Sequence, residues 1–130
     1  MTPEQENALP PRLAHALERW ANLWKLPNLP SRSSIEWSSR LTRSLGCCYP
    51  HRGKVRLAAR LQSADLELLE EVLCHEMAHL AAHELHGQRI RPHGTEWKTL
   101  IKAAGYEPKT RLPVPKSLAQ AASPNKTRHD

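Results

Sequence analysis

Five of the chain's eight histidines fall in one stretch, CHEMAHLAAHELHGQRIRPHGTEW, from Cys74 to Trp97. Its first part, His75-Glu76-Met77-Ala78-His79, has the form HExxH. Two imidazoles four residues apart face the same way only if the segment is helical, because residues i and i+4 stand one turn above each other. The flanking sequence agrees with a helix. Ser63 can cap it, Asp65 and Glu67 suit its positive end, and Leu66, Leu69, Val72, Leu73 and Leu80 give it an apolar side. Gly87 is a good stop just past the last turn. The capping argument predicts a helix of about 22 residues with the histidine motif inside it.

The rest of the chain must pack around that helix. Pro10 and Pro11 can open an earlier helix in which Leu13, Leu17, Trp20 and Trp24 recur at helical spacing, with Ala16 and Leu23 beside them. Pro27 and Pro30 end it. From Ile35 the period changes to two: Ile35, Trp37 and Leu41, then Leu45, Cys47 and Tyr49, then Val55, Leu57, Ala59 and Leu61 alternate with other residues. Three short strands are expected, mainly antiparallel, with PHRG at 50–53 as a hairpin turn. After the loop QRIRPHG, Thr95 can cap a last helix carrying Trp97, Leu100, Ile101 and Ala104 and closed by Gly105. The fold class is therefore α+β. Residues 1–10 read as a flexible lead-in, 11–106 as one domain, and the proline-rich stretch 107–130 as a disordered, mildly basic tail.

No apolar run approaches the roughly 20 residues that a spanning helix needs, so no membrane segment is expected. The polar, proline-rich start does not resemble a secretory signal. Three cysteines, two of them adjacent, do not suggest a disulfide framework, and a reducing cytoplasm is the natural setting. No CxxC pair is present, which excludes a cysteine zinc ribbon within the chain. The formal net charge of +6 is unevenly spread. Arg40, Arg43, Arg52, Lys54, Arg56 and Arg60 lie in the strand region, and Lys109, Arg111, Lys116, Lys126 and Arg128 in the tail. Charge alone reads as a solvated face, while the same patch could take nucleic acid without sequence preference.

A pair of imidazoles on one helix face suits zinc, whose bonds to nitrogen are about 2.0–2.1 Å long. Glu76 lies about 100° around the helix from His75, so it can border the ion without filling a coordination site, where a carboxylate can accept a proton from water. The third ligand is less constrained. His83 lies about 12 Å along the axis from His75 and cannot share its ion on an undistorted helix. Ala82 and Leu85 stand where a metzincin would carry glycine and histidine. His86 reaches only if the last turn unwinds, Glu96 offers a carboxylate, and His93 lies in a loop long enough to fold back, with Gly94 beside it.

Over about Ile35 to Gly105 the chain resembles the SprT-like metallopeptidases. IEWSSRLTRSLGCCYP, KVRLAARL, EEVLCHEMAHL and RPHGTEWK stand in that family's order, and HGxEWK from His93 to Lys98 looks especially like its bacterial branch. The resemblance implies a zincin-like core with one zinc held by His75, His79 and His93, Glu76 as the catalytic residue, and protein or peptide substrates. Spartan-type members act on proteins bound or crosslinked to DNA. Many members carry a zinc-ribbon-like module after the core, where this sequence has a tail without cysteine. Two rival classes stand beside the peptidase. One is a nucleic-acid-binding module with structural zinc, which needs a fourth ligand from Cys47, Cys48 or Glu96. The other is a non-catalytic adaptor, whose signature would be loss of Glu76 or a ligand. Tyr49, at a strand end, is a candidate oxyanion stabiliser but reads more simply as core, as do Trp37 and Trp97. Cys74 reads as a small buried apolar residue.

Overall fold

The computed structural model describes residues 9–110, 112, 114, 115 and 118 of the 130-residue chain. Helix α1 (Pro11–Leu23) opens with proline at its first position, where no backbone N–H is missed. Its inward stripe is the expected one: Leu13, Ala16, Leu17, Trp20 and Trp24 are buried, and Trp20 and Trp24 stack with ring centroids 6.2 Å apart. Leu23, just off that stripe, is exposed. Lys25 then takes a positive φ of 62° and the chain reverses into a single-turn helix, α2 (Leu29–Arg32).

Three strands follow, β1 (Ser34–Ser38), β2 (Gly46–Tyr49) and β3 (Lys54–Ala58). A short 3-10 turn, Pro50–Arg52, connects the last pair, and Gly53 closes it at φ 62°, a left-handed conformation that glycine adopts without a side-chain penalty. The spatial order is β1-β3-β2. β2 pairs antiparallel with β3, as the PHRG turn requires, but β1 pairs with β3 in parallel. Two successive reversals, one on each side of β2, leave β1 and β3 running the same way. The sheet is thus evenly mixed rather than mainly antiparallel.

The register of β2 also corrects the expected face. Gly46 lies opposite Leu57 and Cys48 opposite Val55. Residues paired across a ladder share a face, so β2 turns Gly46 and Cys48 inward with the buried Leu57 and Val55, not Cys47 and Tyr49. Leu45 is buried as well, but from the bend before the strand. The third apolar run is shorter than its alternation suggests. It leaves the sheet at Ala58 and finishes as a 3-10 turn, Ala59–Ser63. Ser63 therefore caps nothing, and Asp65 stands at the head of the next helix.

Helix α3 (Leu66–His86) carries the histidine motif and ends where Gly87 takes φ 89°. It lies across β2 and β3 on one side and against α4 (Thr95–Ala103) on another. Burial on several faces explains why eleven of its residues, from Leu69 to Ala82, are buried. One of them, Glu70, is a carboxylate held by two guanidiniums of α1: Arg12 Nε at 2.8 Å and Arg19 Nη2 at 3.2 Å. Gly94, not Thr95, occupies the cap position of α4, and Gly105 follows the helix at φ 96°. No helix among the described residues is long and apolar enough to cross a membrane.

Residues 107–118 were expected to belong to a structureless tail. Three of their described members instead pack on the domain: Leu112 and Val114 lie against the core and Leu118 is 6% exposed. Apolar residues without a regular period can still cover a core. Residues 1–8 and 119–130 lie outside the described residues.

The inward face of the sheet is centred on Leu57, which is fully buried in the middle strand. Leu57→Ala should lower the unfolding free energy by about 2–5 kcal/mol through lost burial and the cavity left behind. A urea titration followed by tryptophan fluorescence measures it, and a loss below about 1 kcal/mol would show that this position is not the packed centre of the fold.

Candidate metal centre

α3 presents His75 and His79 one turn apart, with ring centroids separated by 5.5 Å. The loop after Gly87 folds back and brings His93 to the same place, 5.4 Å from His75 and 4.8 Å from His79 by ring centroids. One nitrogen from each of the three rings lies within 4.8 Å of the others, and each residue is partly buried. Among the described residues this is the one group of three or more potential ligands so gathered.

Trp97 is the floor beneath all three. Its ring lies 4.7 Å from His75, 5.4 Å from His79 and 4.8 Å from His93 by centroids, and it is fully buried. The indole N–H donates to the backbone carbonyl of His75 at 3.1 Å. The expectation that Trp97 is core is correct but incomplete, since the same side chain fixes the imidazoles. Only the HGTEW spacing, with Trp97 four residues after His93, hints at it in the sequence.

The other expected candidates go elsewhere. His83 faces the exposed His51 from the far end of α3, with ring centroids 5.3 Å apart, and His86 is exposed at the helix end. Glu96 and the two cysteines of β2 are not in the gathered group. Tyr49 sits beneath the Arg56 guanidinium, 5.3 Å from its ring centroid, and does not line the cleft. Cys74 is buried, and burial pushes its thiol well up, in keeping with an inert apolar role.

Glu76 is 7% exposed, and its Oε2 lies 3.5 Å from His75 Nδ1. The other ring nitrogen of His75, Nε2, lies 3.1 Å from the carbonyl oxygen of Lys109. A carbonyl and a carboxylate both only accept, so His75 faces an acceptor at each ring nitrogen, and a neutral ring can donate to only one of them. Around these groups opens a cleft of about 680 Å³. His75, Glu76, His79 and His93 line it, with Val72 beside them. Arg43 to Gly46 form one wall, and Thr110, Leu112 and Val114 contribute to another. Neither wall was identified in the sequence. The first lies outside any motif, and the second falls in the stretch expected to be a tail.

The donor set fits a transition-metal ion such as zinc. Three imidazoles are its usual nitrogen ligands, and they bind as neutral rings. Burial first, and then the neighbouring rings of His75 and His93, push His79 down to about 3. Burial lowers His93 as well. The Nε2 of His93 is buried and has no hydrogen-bond partner among the described residues; His83 Nε2 is also without one, so it is the gathering of His93 with His75 and His79 that marks this nitrogen as a donor for the ion.

Of the basic strand segment, Lys54 and Arg56 pair with Glu36, each at 3.2 Å. Arg60 donates to the carbonyls of Thr42 at 2.8 Å and Ser44 at 3.3 Å, which holds the 42–44 wall in place. Arg40 and Arg52 remain exposed, and Arg43 faces the cleft. In the tail, Arg111, Lys116, Lys126 and Arg128 lie outside the described residues.

The depressed His79 has a consequence for the metal-free protein. Between the ordinary histidine value of about 6.5 and about 3, the unfolded chain binds a proton at His79 that the folded chain does not. Stability must therefore fall as pH drops through that window and stop falling on this account below about 3. Urea midpoints of chelator-treated protein should decline from pH 7 to pH 4, and His79→Gln should flatten the decline. An unchanged slope in the variant would place the acid sensitivity elsewhere.

A sequence model of the SprT-like family matches residues 14–117, well over half of the chain. Among curated relatives, Protein SprT of Pseudomonas fluorescens strain Pf-5 is 36% identical over 67 residues, covering 51% of this chain and 41% of the relative. Protein SprT of Pseudomonas putida is 34% identical over 67 residues with the same coverage, 51% and 41%. Protein SprT of Pseudomonas paraeruginosa is 56% identical over a shorter stretch of 34 residues, 26% of this chain and 21% of the relative. The chain thus matches well under two thirds of the length of these relatives. No solved structure matches it significantly.

Proposed function

The chain belongs to the SprT-like family, and from that premise we propose that it is a zinc-dependent peptidase with its reaction centre at His75, Glu76, His79 and His93. The observation that carries the reading is the convergence of three imidazoles beside a buried carboxylate at the floor of an open cleft. His75, His79 and His93 would hold one zinc ion per chain, with Glu76 next to them. A bound zinc ion supplies a Lewis acid that polarises a carbonyl and makes water acidic.

The chain's own residues account for the rest. Trp97 orients the three rings from below and excludes water from that side. Glu76 points its carboxylate at the His75 edge of the cleft, where it can take a proton from the attacking water and return it to the leaving amine. The cleft is open enough for a polypeptide, and its walls at Leu45, Leu112 and Val114 are apolar, which suits side chains of an extended protein substrate.

A structural zinc site in a nucleic-acid-binding module is less well supported. That role needs a fourth protein ligand. Glu96, Cys47 and Cys48 do not join the gathered group, and burial pushes the Cys48 thiol up, toward the protonated form that does not ligate. A purely adaptor role is also less well supported, because neither Glu76 nor any of the three histidines is lost. For substrates, we propose proteins held on DNA as the candidate class. The basis is the family and the exposed Arg40 and Arg52 with Arg43 at the cleft.

Purified protein should hold about one zinc per chain by atomic absorption. His75→Ala and His93→Ala should each lower that content, and His83→Ala should not. Full zinc content in His93→Ala with loss in a His86→Ala variant would overturn the ligand set. Glu76→Gln should keep zinc and the urea midpoint while reducing protein cleavage by about 10²–10⁴-fold. Wild-type cleavage by that variant would remove the mechanism. If the exposed arginines contact phosphates, DNA binding should be indifferent to sequence and fall steeply with salt. Gel shifts at low salt that show no complex would leave these charges as a solvated face.

A further inference from the structure

We propose that Gly46 is a positioning residue: the space left by its missing side chain is the seat in which the Glu76 carboxylate is held. The inference rests on the reading of Glu76 as the proton carrier. A Cβ added at Gly46 would stand 3.0 Å from Glu76 Cγ, 3.1 Å from Glu76 Oε2 and 3.2 Å from Val72 Cγ1. All three are closer than ordinary van der Waals contact. Val72 and Glu76 are one turn apart on α3, so both meet β2 on the same line.

Backbone conformation does not explain the glycine. Gly53, Gly87 and Gly105 have positive φ, and Gly46 does not. Its place is in a strand, where glycine gives up side-chain packing and conformational entropy and so marks a close approach by something else. Here the approaching group is the carboxylate of Glu76. The seat has little slack on its other side, since Val72 is 1% exposed and packed in the core. Leu57, paired with Gly46 on β3, is fully buried and fixes the strand from the side. A methyl group at position 46 is therefore accommodated by the freer group, the end of the Glu76 side chain, which swings out into the cleft that both residues line. The three atoms nearest this methyl belong to Glu76 and Val72 and none to the imidazoles, so the proton carrier is displaced first. Displacement of about 1 Å at a reacting group costs on the order of 10²-fold in rate.

The test compares wild type, Gly46→Ala, Val72→Ala and the Gly46→Ala/Val72→Ala double variant, with β-casein as the cleavage probe. Gly46→Ala should keep zinc content and urea midpoint, hold KM within about twofold, and lower kcat by about 10- to 100-fold. Trimming Val72 gives the new methyl room, so the double variant should recover part of kcat relative to the single one. Crystal structures of the metal-free proteins supply the readout that does not depend on turnover. Glu76 Oε2 should lie against β2 in wild type and stand off it in Gly46→Ala. If Gly46→Ala cleaves casein like wild type, or if its carboxylate stays in place while β2 moves, the seat does not exist. If wild type itself does not cleave casein, the peptidase reading fails, and the carboxylate position in the two metal-free structures still decides the seat. If Gly46→Ala does not fold, the double variant is compared with Val72→Ala in the same way. Failure of both to fold makes Gly46 a purely structural residue and overturns the proposal.

Discussion

The arrangement of the centre depends on one hydrogen bond and the ring that makes it. A buried indole N–H usually finds an acceptor, and that of Trp97 finds the carbonyl of His75 in the middle of α3. That carbonyl also belongs to the helical ladder, but a carbonyl oxygen has two lone pairs and can serve both. The bond pins the first turn of α4 to the turn of α3 that carries the two motif histidines. With α4 so placed, His93, just before it, has little freedom of position. Its ring meets the other two around the same indole. The loop from Gly87 to Gly94 thus needs no regular structure of its own, because both of its ends are fixed.

Two buried carboxylates on α3 are treated in opposite ways. Glu70 faces α1 and is clamped by Arg12 and Arg19. Glu76 faces the cleft, with no guanidinium or ammonium paired to it among the described residues. A carboxylate fixed between two cations is a poor proton carrier, whereas one beside an imidazole and open to the cleft can exchange protons with water. The same helix therefore uses one acid to dock the N-terminal helix and leaves the other facing the cleft, unpaired with any cation among the described residues. The charges of the sheet are divided along similar lines: Glu36 takes up Lys54 and Arg56, and Arg60 is tied to the backbone of the wall at residues 42–44.

The parts legible in the sequence are those with a strong period or a fixed spacing. Expectation and structure agree on α1, on the extent of α3, on Gly87 as its stop and on the placing of His75 and His79 on one face, because helical spacing leaves little choice. The harder features depend on partners distant in sequence. β2 was read with Leu45, Cys47 and Tyr49 as its inner face. Gly46 carries no side chain to reveal which way the strand turns, and Leu45 is buried from a bend. The parallel pairing of β1 needs knowledge of where β2 goes, which no local pattern contains. Ser63 was an attractive cap by type, yet the chain was still winding as a 3-10 turn there. The stretch after Glu107 has no period at all, so its packing through Leu112, Val114 and Leu118 was not visible.

That last stretch changes how the cleft is understood. All of the floor but His93 is built on two helices fixed to each other, which is where side-chain positions are held most precisely, and His93 lies in the loop that leads into the second. The walls come mostly from irregular chain: residues 43–45 ahead of β2, with Gly46 at its start, and the described residues of 110–114 beyond α4. The second wall meets the floor through the Lys109 carbonyl on His75 Nε2. A hydrogen bond from a ring nitrogen to a backbone carbonyl orients an imidazole, so the wall beside the cleft touches a proposed ligand directly. Variation in the sequence after α4 would change what enters the cleft and, through the same carbonyl, how firmly His75 is held.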